Sequence, residues 1–237
     1  FQKQNGSRKT PVSLSMMDQS IDDMYFGCNE AMEKKVMEEY FPKEMKNNAF
    51  KDGWNVAKSF AKTKYENREN RALTQDQVQA IYVYTQQPPN VYDPFNAAVR
   101  GDAAIYSKAF PYHALHFWLT SAIQILNPNK QCHITYRRTK TVFTGKENTE
   151  MRFGCFASSS KLNDLTSFGT VTCFHIETCY GEEEVLIPPY EKFKIKEIAK
   201  ESYRDLKECK TIFVLESAGL VRKLNCKANE ESRAQLG

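Results

Sequence analysis

Three consecutive glutamates are the residues of this chain best suited to do chemistry. Glu182, Glu183 and Glu184 follow a glycine and begin an apolar strand that ends at Pro188. Because side chains alternate along a strand, Glu182 and Glu184 share one face and Glu183 points to the other. Two neighbouring carboxylates repel each other unless a cation or a substrate offsets the charge.

This acidic pattern has two interpretations. One is a solvated acidic turn on the surface. The other is a carboxylate pair at a reacting sugar carbon, where one carboxylate stabilises positive charge on the sugar. The second carboxylate then orients or deprotonates a nucleophile.

Two upstream segments also carry polar side chains where predicted strands end. Arg137 and Arg138 end an apolar, alternating segment, and an arginine at a strand end can hold a phosphate through two hydrogen bonds. Ser158 and Ser160 lie where a strand runs into a hydroxyl-rich turn, and alternation places them on one face. Taken singly, these residues are equally consistent with surface arginines and an ordinary serine-rich turn.

The elements that must position these side chains fall into two groups. Helical spacing of apolar residues predicts helices at 29–41, 44–65, 74–87, 96–110 and 114–126. Thr74 and Gln77 have the spacing of a capping box. In the second half, β-branched and aromatic residues predict strands at 132–136, 151–157, 171–178, 184–187, 193–198 and 211–215.

Helices first and strands afterwards favour an α+β fold over an alternating α/β fold. The sequence contains no linker, internal repeat or low-complexity stretch. We therefore expect one domain over residues 1–237, mainly helical over 1–130 and mainly strand over 131–237. The helical half is expected to pack on a sandwich-like sheet core.

Charge and hydropathy exclude several classes of protein. The 237 residues carry a net charge of +4 without a concentrated run of lysine and arginine, which argues against a nucleic-acid-binding protein. No stretch of about 18 apolar residues is present, so we expect no membrane span. The sequence has no signal peptide and no C-terminal hydrophobic tail, so any lipid-anchor signal is expected to have been removed.

The seven cysteines include no Cys-x-x-Cys pair and no histidine at zinc-ligand spacing from two of them, so we expect no metal site. Disulfides in an oxidising compartment and ordinary buried thiols both remain open. Because seven is odd, at least one thiol is unpaired within the chain. The sequon that begins at Asn5 matters only in a secreted protein, where it would be a glycosylation site.

The order of the motifs resembles a known family. An arginine, a Ser-x-Ser strand and a Glu-x-Glu strand, each on a separate predicted strand, resemble the signature of the ADP-ribosyltransferases, specifically the vertebrate extracellular arginine-specific branch. The resemblance covers nearly the whole chain. Four segments carry it: Phe95–Arg100, Leu115–Thr120, Phe156–Ser160 and Gly181–Pro189.

The resemblance implies that NAD is the substrate and assigns a role to each motif residue. Arg137 is implied to contact the NAD phosphates, and Ser158 to support the catalytic glutamate and touch the nicotinamide ribose. Glu184 is implied to be that glutamate, and Glu182 to recruit the guanidinium of the acceptor arginine. Phe168 is implied to pack against nicotinamide, with core packing as the alternative.

Two features depart from the family pattern. Where the family often has glycine after the phosphate-binding arginine, this chain has Arg138. A second guanidinium there adds charge toward NAD or crowds it, which leaves open which arginine binds phosphate. Only Tyr180 and Gly181 separate Cys179 from the glutamates. Family members usually have a longer loop there that helps to recognise the target protein, so target choice also stays open.

The resemblance also implies two disulfides, Cys28–Cys226 and Cys132–Cys179. It assigns no partner to the other three cysteines, which are Cys155, Cys173 and Cys209. Of these, Cys155 and Cys173 lie in predicted strands and are expected to be buried thiols.

The sequence therefore predicts an NAD-dependent mono-ADP-ribosyltransferase that modifies protein arginine side chains and releases nicotinamide. The resemblance implies the ADP-ribosyltransferase type of α+β fold. It also implies that the protein is either secreted or located on the extracellular face of the plasma membrane. Two alternatives remain: an NAD glycohydrolase that uses the same site, and a catalytically silent binding module.

Overall fold

The computed structural model describes residues 10–181 and 186–229. They form two compact units. The helical unit comprises residues 19–126 and 222–229, and the sheet unit comprises residues 10–18, 127–181 and 186–221. Glu182, Glu183 and Glu184 lie outside the described residues, as does the sequon at Asn5.

Seven α-helices in the described residues build the helical unit. They are α1 (Asn29–Lys35), α2 (Phe41–Glu44), α3 (Asn48–Glu66), α4 (Gln75–Thr85), α5 (Tyr92–Gly101), α6 (Tyr106–Ala109) and α7 (His113–Leu126). A π-helical turn, Val36–Tyr40, joins α1 to α2, and a 3-10 turn, Ala103–Ile105, precedes α6. No described helix is both long enough and apolar enough to cross a membrane.

Local capping explains where several of these helices begin. Thr74 and Gln77 form the predicted capping box at the start of α4. The helix predicted from residue 44 instead begins at Asn48, because the side chain of Asn47 accepts hydrogen bonds from the amides of Ala49 and Phe50. The helix predicted over 96–110 is interrupted: it begins four residues earlier and ends at Gly101.

Aromatic packing and buried polar bonds hold the helical unit together. The rings of Trp54 in α3 and Trp118 in α7 stack with their centroids 4.8 Å apart. The buried Asp23 carboxylate accepts hydrogen bonds from the amides of Tyr25 and Cys226 and from the hydroxyl of Tyr106. Its burial raises its pKa to about 6.

Nine described strands build the sheet unit. They are β1 (Val12–Ser13), β2 (His133–Thr139), β3 (Phe143–Thr144), β4 (Glu150–Met151), β5 (Ala157–Ser158), β6 (Thr172–Thr178), β7 (Leu186–Ile187), β8 (Glu191–Tyr203) and β9 (Leu206–Leu220). Five of them form a mixed sheet in the order β2-β6-β9-β8-β4, in which only β6 and β9 run parallel. Two further pairs, β1 with β3 and β5 with β7, form separate ladders. The α+β class predicted from the sequence is confirmed.

Buried side chains lie on both faces of the five-stranded sheet. On the first face, Phe174 and Ile176 of β6 pack with Phe213 and Leu215 of β9. On the second face, Cys173 packs with Leu206, Cys209 and Ile212.

The strand predicted over 151–157 is wrong as a single element. It is two short strands, β4 and β5, separated by an irregular segment. Gly154 in that segment has a φ of 65°, a left-handed conformation that a regular strand does not contain. The buried Arg152 side chain donates to the carbonyls of Met16 and Met17, which holds this segment against the chain near β1.

Three disulfides are present, one more than expected. Cys28–Cys226 lies in the helical unit and Cys132–Cys179 in the sheet unit, and these are the pairs that the resemblance implied. The expectation that Cys173 is a buried thiol is wrong, because Cys173 is bonded to Cys209. Their strands are neighbours and their Cα atoms lie 6.1 Å apart, within the usual range for a disulfide. Cys155 is buried and belongs to none of the three.

Candidate functional site

Arg137 lies in β2, with β6 on one side and the segment of Ser160 on the other. Tyr136 and Ser160 exchange two backbone hydrogen bonds of 2.7 Å. This bridge brings the Arg137 side chain next to the serine run, where its Nη1 donates to the carbonyl oxygen of Ser158. Arg137 is half-buried, and it shares the first face with Phe174, its partner in register.

Ser158 is joined in turn to the strand that follows the glutamates. β5 and β7 are antiparallel, and Ser158 is in register with Leu186. Leu186 comes two residues after Glu184 in the sequence. The predicted arginine strand and serine strand are therefore in contact, and the serine strand pairs with the last two residues of the strand predicted over 184–187.

The two described residues that flank the glutamates, Gly181 and Leu186, are neighbours in space. A Cβ atom on Gly181 would lie 3.1 Å from the Leu186 carbonyl oxygen and 2.9 Å from the Thr178 hydroxyl. A larger residue at position 181 would push against both. Gly181 and Leu186 therefore adjoin each other in the sheet unit.

Hydrogen bonds fix the turn that leads to Glu182. The Asn127 amide donates to the carbonyls of Gly181, at 2.8 Å, and Cys179, at 3.2 Å. The Gly181 amide donates to the Thr178 hydroxyl at 3.1 Å, and that hydroxyl donates to Glu191 at 2.5 Å.

Sequence analysis missed Asn127, Thr178 and Glu191. Asn127 had only the signal of a helix end, and Glu191 resembled any acidic residue at a strand start. Their partners become visible only when strands distant in sequence are brought together.

Arg138 has different surroundings from Arg137. It lies on the second face and is almost completely buried. Its guanidinium donates to the carbonyls of Asn163 at 2.9 and 2.7 Å, of Lys207 at 2.7 Å and of Glu208 at 3.3 Å. Burial lowers the pKa of this guanidinium. Its hydrogen-bonding capacity is therefore directed at the backbone of its own chain.

Phe168 ends a short 3-10 turn, Thr166–Phe168, that is packed against the end of β2. Gly169 follows with a φ of 143°, and a Cβ atom there would lie 2.2 Å from the backbone of Thr139. Only glycine permits this approach. Phe168 is half-buried and belongs to neither the first-face nor the second-face cluster.

Within residues 10–181 and 186–229, no group of three or more histidine, cysteine, aspartate or glutamate side chains is placed to hold a metal ion.

Comparison with known proteins relates this geometry to enzymes that use NAD. A family model described as NAD:arginine ADP-ribosyltransferase matches residues 14–208. The erythroblast NAD(P)(+)–arginine ADP-ribosyltransferase of Gallus gallus is 32% identical over 97% of this chain and 81% of its own length. Ecto-ADP-ribosyltransferase 5 of Bos taurus is 34% identical over 85% of this chain and 71% of its own length.

Solved structures show the same likeness. The crystal structure of the eukaryotic mono-ADP-ribosyltransferase ART2.2 has a TM-score of 0.76 and 29% identity, and it covers 91% of this chain and 99% of its own. A mutant of ART2.2 in complex with NAD has a TM-score of 0.75 and 28% identity, with the same coverage.

Proposed function

The chain belongs to the NAD:arginine ADP-ribosyltransferase family, and we propose the role of each site residue in the transfer of ADP-ribose from NAD to an arginine side chain. The transferase activity and the use of NAD predicted from the sequence are confirmed by the family assignment. One observation carries the proposal: Arg137 contacts Ser158, which is paired with the strand that begins two residues after Glu184.

Arg137 holds the NAD phosphates. A guanidinium has five N–H donors, and only Nη1 has a hydrogen bond to Ser158 in the described part of the chain. The remaining donors suit the bidentate, charge-assisted bonds that a phosphate accepts. Arg138 is not suited to this task, because its donors are directed at three backbone carbonyls on the other face.

Ser158 and Glu184 act at the nicotinamide ribose. Consecutive Cα atoms are about 3.8 Å apart, so Glu184 is at most about 7.6 Å from Leu186, measured between Cα atoms. Leu186 is in register with Ser158, and this pairing supports a shared role for Glu184 and Ser158. The Glu184 carboxylate is the counter-charge for the positive charge that develops on the ribose as nicotinamide leaves.

Glu182 selects arginine as the acceptor. A guanidinium is protonated at neutral pH and is a poor nucleophile. A carboxylate two residues from Glu184, predicted by strand alternation to share its face, orients the guanidinium and accepts its proton as the new bond to the ribose forms. Phe168, half-buried beside the end of β2, offers a ring for nicotinamide to pack against.

The setting of the reaction is extracellular. The relatives carry names such as ecto-ADP-ribosyltransferase, and three disulfides fit an oxidising compartment. We propose arginine-bearing proteins as acceptors and one catalytic domain spanning residues 1–237. Membrane attachment, if any, is proposed to depend on a lipid anchor.

The short loop before Glu182 favours a second candidate, NAD hydrolysis at the same site, since only Tyr180 and Gly181 follow Cys179. Labelled NAD and the guanidine acceptor agmatine separate the candidates. We expect an agmatine adduct from the wild-type protein. Free ADP-ribose without adduct would indicate a hydrolase, and no NAD turnover would indicate a binding module.

Variants of the glutamate triplet test the individual roles. Glu184→Gln is expected to lower transfer and hydrolysis together by orders of magnitude, on the order of 10²–10³, because the main counter-charge is lost. Glu182→Gln is expected to lose transfer and to retain hydrolysis, and equal loss of both would rule out its role. Glu183→Gln is the matched control, because it makes the same charge change on the opposite side of the predicted strand.

A further inference from the structure

Glu191, the first residue of β8, is a buried carboxylate with an unusual set of partners. Its side chain is fully buried. One oxygen accepts hydrogen bonds from the Cys179 amide at 2.8 Å and the Ser217 hydroxyl at 2.7 Å. The other accepts from the Thr178 hydroxyl at 2.5 Å. Burial raises the pKa of this carboxyl group.

Among the described residues, no lysine, arginine or histidine forms an ion pair with Glu191. A carboxylate buried without a cation is expensive, and an apolar side chain of similar size would pack there at a lower cost. We therefore look for the role of Glu191 in the backbone and side chains that its hydrogen bonds position.

The Thr178 hydroxyl connects Glu191 to the glutamate segment. Because this hydroxyl gives its proton to Glu191, its lone pairs are directed elsewhere, and one accepts the Gly181 amide at 3.1 Å. Glu191 also binds the amide of Cys179. The carboxylate thus fixes the Thr178–Gly181 turn at two points, directly before Glu182.

The opposite end of the segment has a different support. Leu186, which follows the segment, is held by backbone pairing with Ser158 in β5. In sequence, Glu182 adjoins Gly181 and Glu184 is nearer to Leu186. A loosened Thr178–Gly181 turn is therefore expected to misplace Glu182 more than Glu184.

We infer that Glu191, acting through Thr178, is a positioning residue: it fixes the turn that leads into Glu182, the residue proposed to capture the acceptor arginine, and so sets the ratio of transfer to NAD hydrolysis. This inference rests on the roles proposed above for Glu182 and Glu184. It adds a determinant of acceptor choice that lies outside the glutamate triplet and is fully buried.

Two substitutions that each remove one hydroxyl from the same carboxylate test the inference. Thr178→Val keeps the shape of the side chain and removes the connection to Gly181. Ser217→Ala, the matched control, removes a bond to Glu191 that does not lead to Gly181. Each variant is assayed at saturating NAD for agmatine modification and for release of free ADP-ribose, with the melting temperature measured in parallel.

Thr178→Val is expected to lower the transfer-to-hydrolysis ratio about tenfold, which corresponds to about 1.4 kcal/mol of differential transition-state stabilisation. Glu191→Gln is expected to lower it in the same direction, because the amide NH₂ cannot accept the Thr178 proton. The ratio of Ser217→Ala is expected to stay within about twofold of that of the wild type, because this variant loses one ordinary hydrogen bond that does not lead to Gly181. Thr178→Ser, which restores the hydroxyl, should recover the ratio.

The inference is overturned if Thr178→Val and Ser217→Ala have the same ratio, or if both activities of Thr178→Val fall in equal proportion. Should Glu191→Gln not fold, the Thr178 and Ser217 variants decide alone. Glu182→Gln serves as the reference: if it leaves the ratio unchanged, the proposed role of Glu182 is wrong and the inference falls with it. If Glu182→Gln lowers the ratio and Thr178→Val does not, only the positioning role of Glu191 is wrong.

Discussion

Arg137 and Arg138 are adjacent in β2, yet the strand directs them to opposite faces of the sheet. Arg137 is half-buried on the first face and contacts the carbonyl of Ser158. Arg138 is buried on the second face, where it donates to the carbonyls of Asn163, Lys207 and Glu208. It also lies 3.6 Å from Cys173, within the Cys173–Cys209 disulfide.

The two arginines carry the same charge, so charge alone cannot indicate which of them holds the NAD phosphates, the role proposed for Arg137. What distinguishes the two side chains is how many of their N–H donors are already bound to the chain. On that basis we expect Arg138, which departs from the family pattern, to stabilise the second face. Arg137 on the first face keeps N–H donors that can bind a substrate.

Of the two arginines, Arg137 is expected to have the larger effect on activity when it is replaced by alanine. Loss of two charge-assisted hydrogen bonds to phosphate should lower kcat/KM for NAD on the order of 10²-fold. The unfolding free energy should fall by about 1 kcal/mol, because one hydrogen bond to a backbone carbonyl is lost. Steady-state kinetics and urea unfolding measure the two quantities. Arg137→Lys keeps the charge but lacks the planar guanidinium, so its kcat/KM for NAD should lie between those of the wild type and Arg137→Ala. An unchanged KM for NAD in Arg137→Ala would remove this residue from the site.

Arg138→Met is expected to show the opposite pattern. The variant leaves three backbone carbonyls without their guanidinium, which should lower the unfolding free energy by about 2–4 kcal/mol. The activity of the folded fraction should stay near the wild-type value. Urea unfolding combined with NAD kinetics on the same sample tests this. Weakened NAD use with unchanged stability would instead make Arg138 the phosphate-binding arginine.

The hydrogen-bond partners of Arg138 are an example of contacts that the sequence alone does not predict. Elements set by neighbouring residues were predicted well, including the capping box at Thr74 and the helix that ends at Leu126. The partners of Arg138 lie 25 and 69 residues away in the chain. No local pattern encodes such contacts, because they exist only once β2, β6 and β9 are side by side.

The same limit applies to the third disulfide and to the support of the glutamate segment. Cys173 and Cys209 are 36 residues apart, and their pairing depends on the parallel neighbours β6 and β9. Glu191 lies two residues before the strand predicted over 193–198, and no local pattern marks it as the acceptor for Thr178 and Ser217. The roles of Arg137, Ser158, Phe168 and the glutamates came from the order of the motifs, and they stay predictions until tested.

The smallest effect concerns the pH response of the second face, where His175 lies between two tyrosine rings. Its ring centroid is 5.5 Å from that of Tyr136 and 5.1 Å from that of Tyr203. Its Nδ1 atom is buried and has no hydrogen-bond partner among the described residues. Burial, with a smaller contribution from Arg204, lowers the pKa of His175 below its ordinary 6.5.

The sign of the pH effect follows from this shift. Below pH 6.5 the unfolded chain binds a proton at His175 more readily than the folded protein does, so this contribution to stability is present above pH 6.5 and is lost as pH falls. His175→Phe keeps an aromatic ring between the tyrosines and removes the titration. The unfolding free energy of the variant should therefore fall less between pH 7 and pH 5 than that of the wild type, by at most about 1.4 kcal/mol per pH unit. Urea unfolding at several pH values measures the difference. The buried His113 and His116 of the helical unit are present in both proteins, so their titration does not contribute to it. Parallel pH profiles would mean that His175 does not contribute to the acid sensitivity.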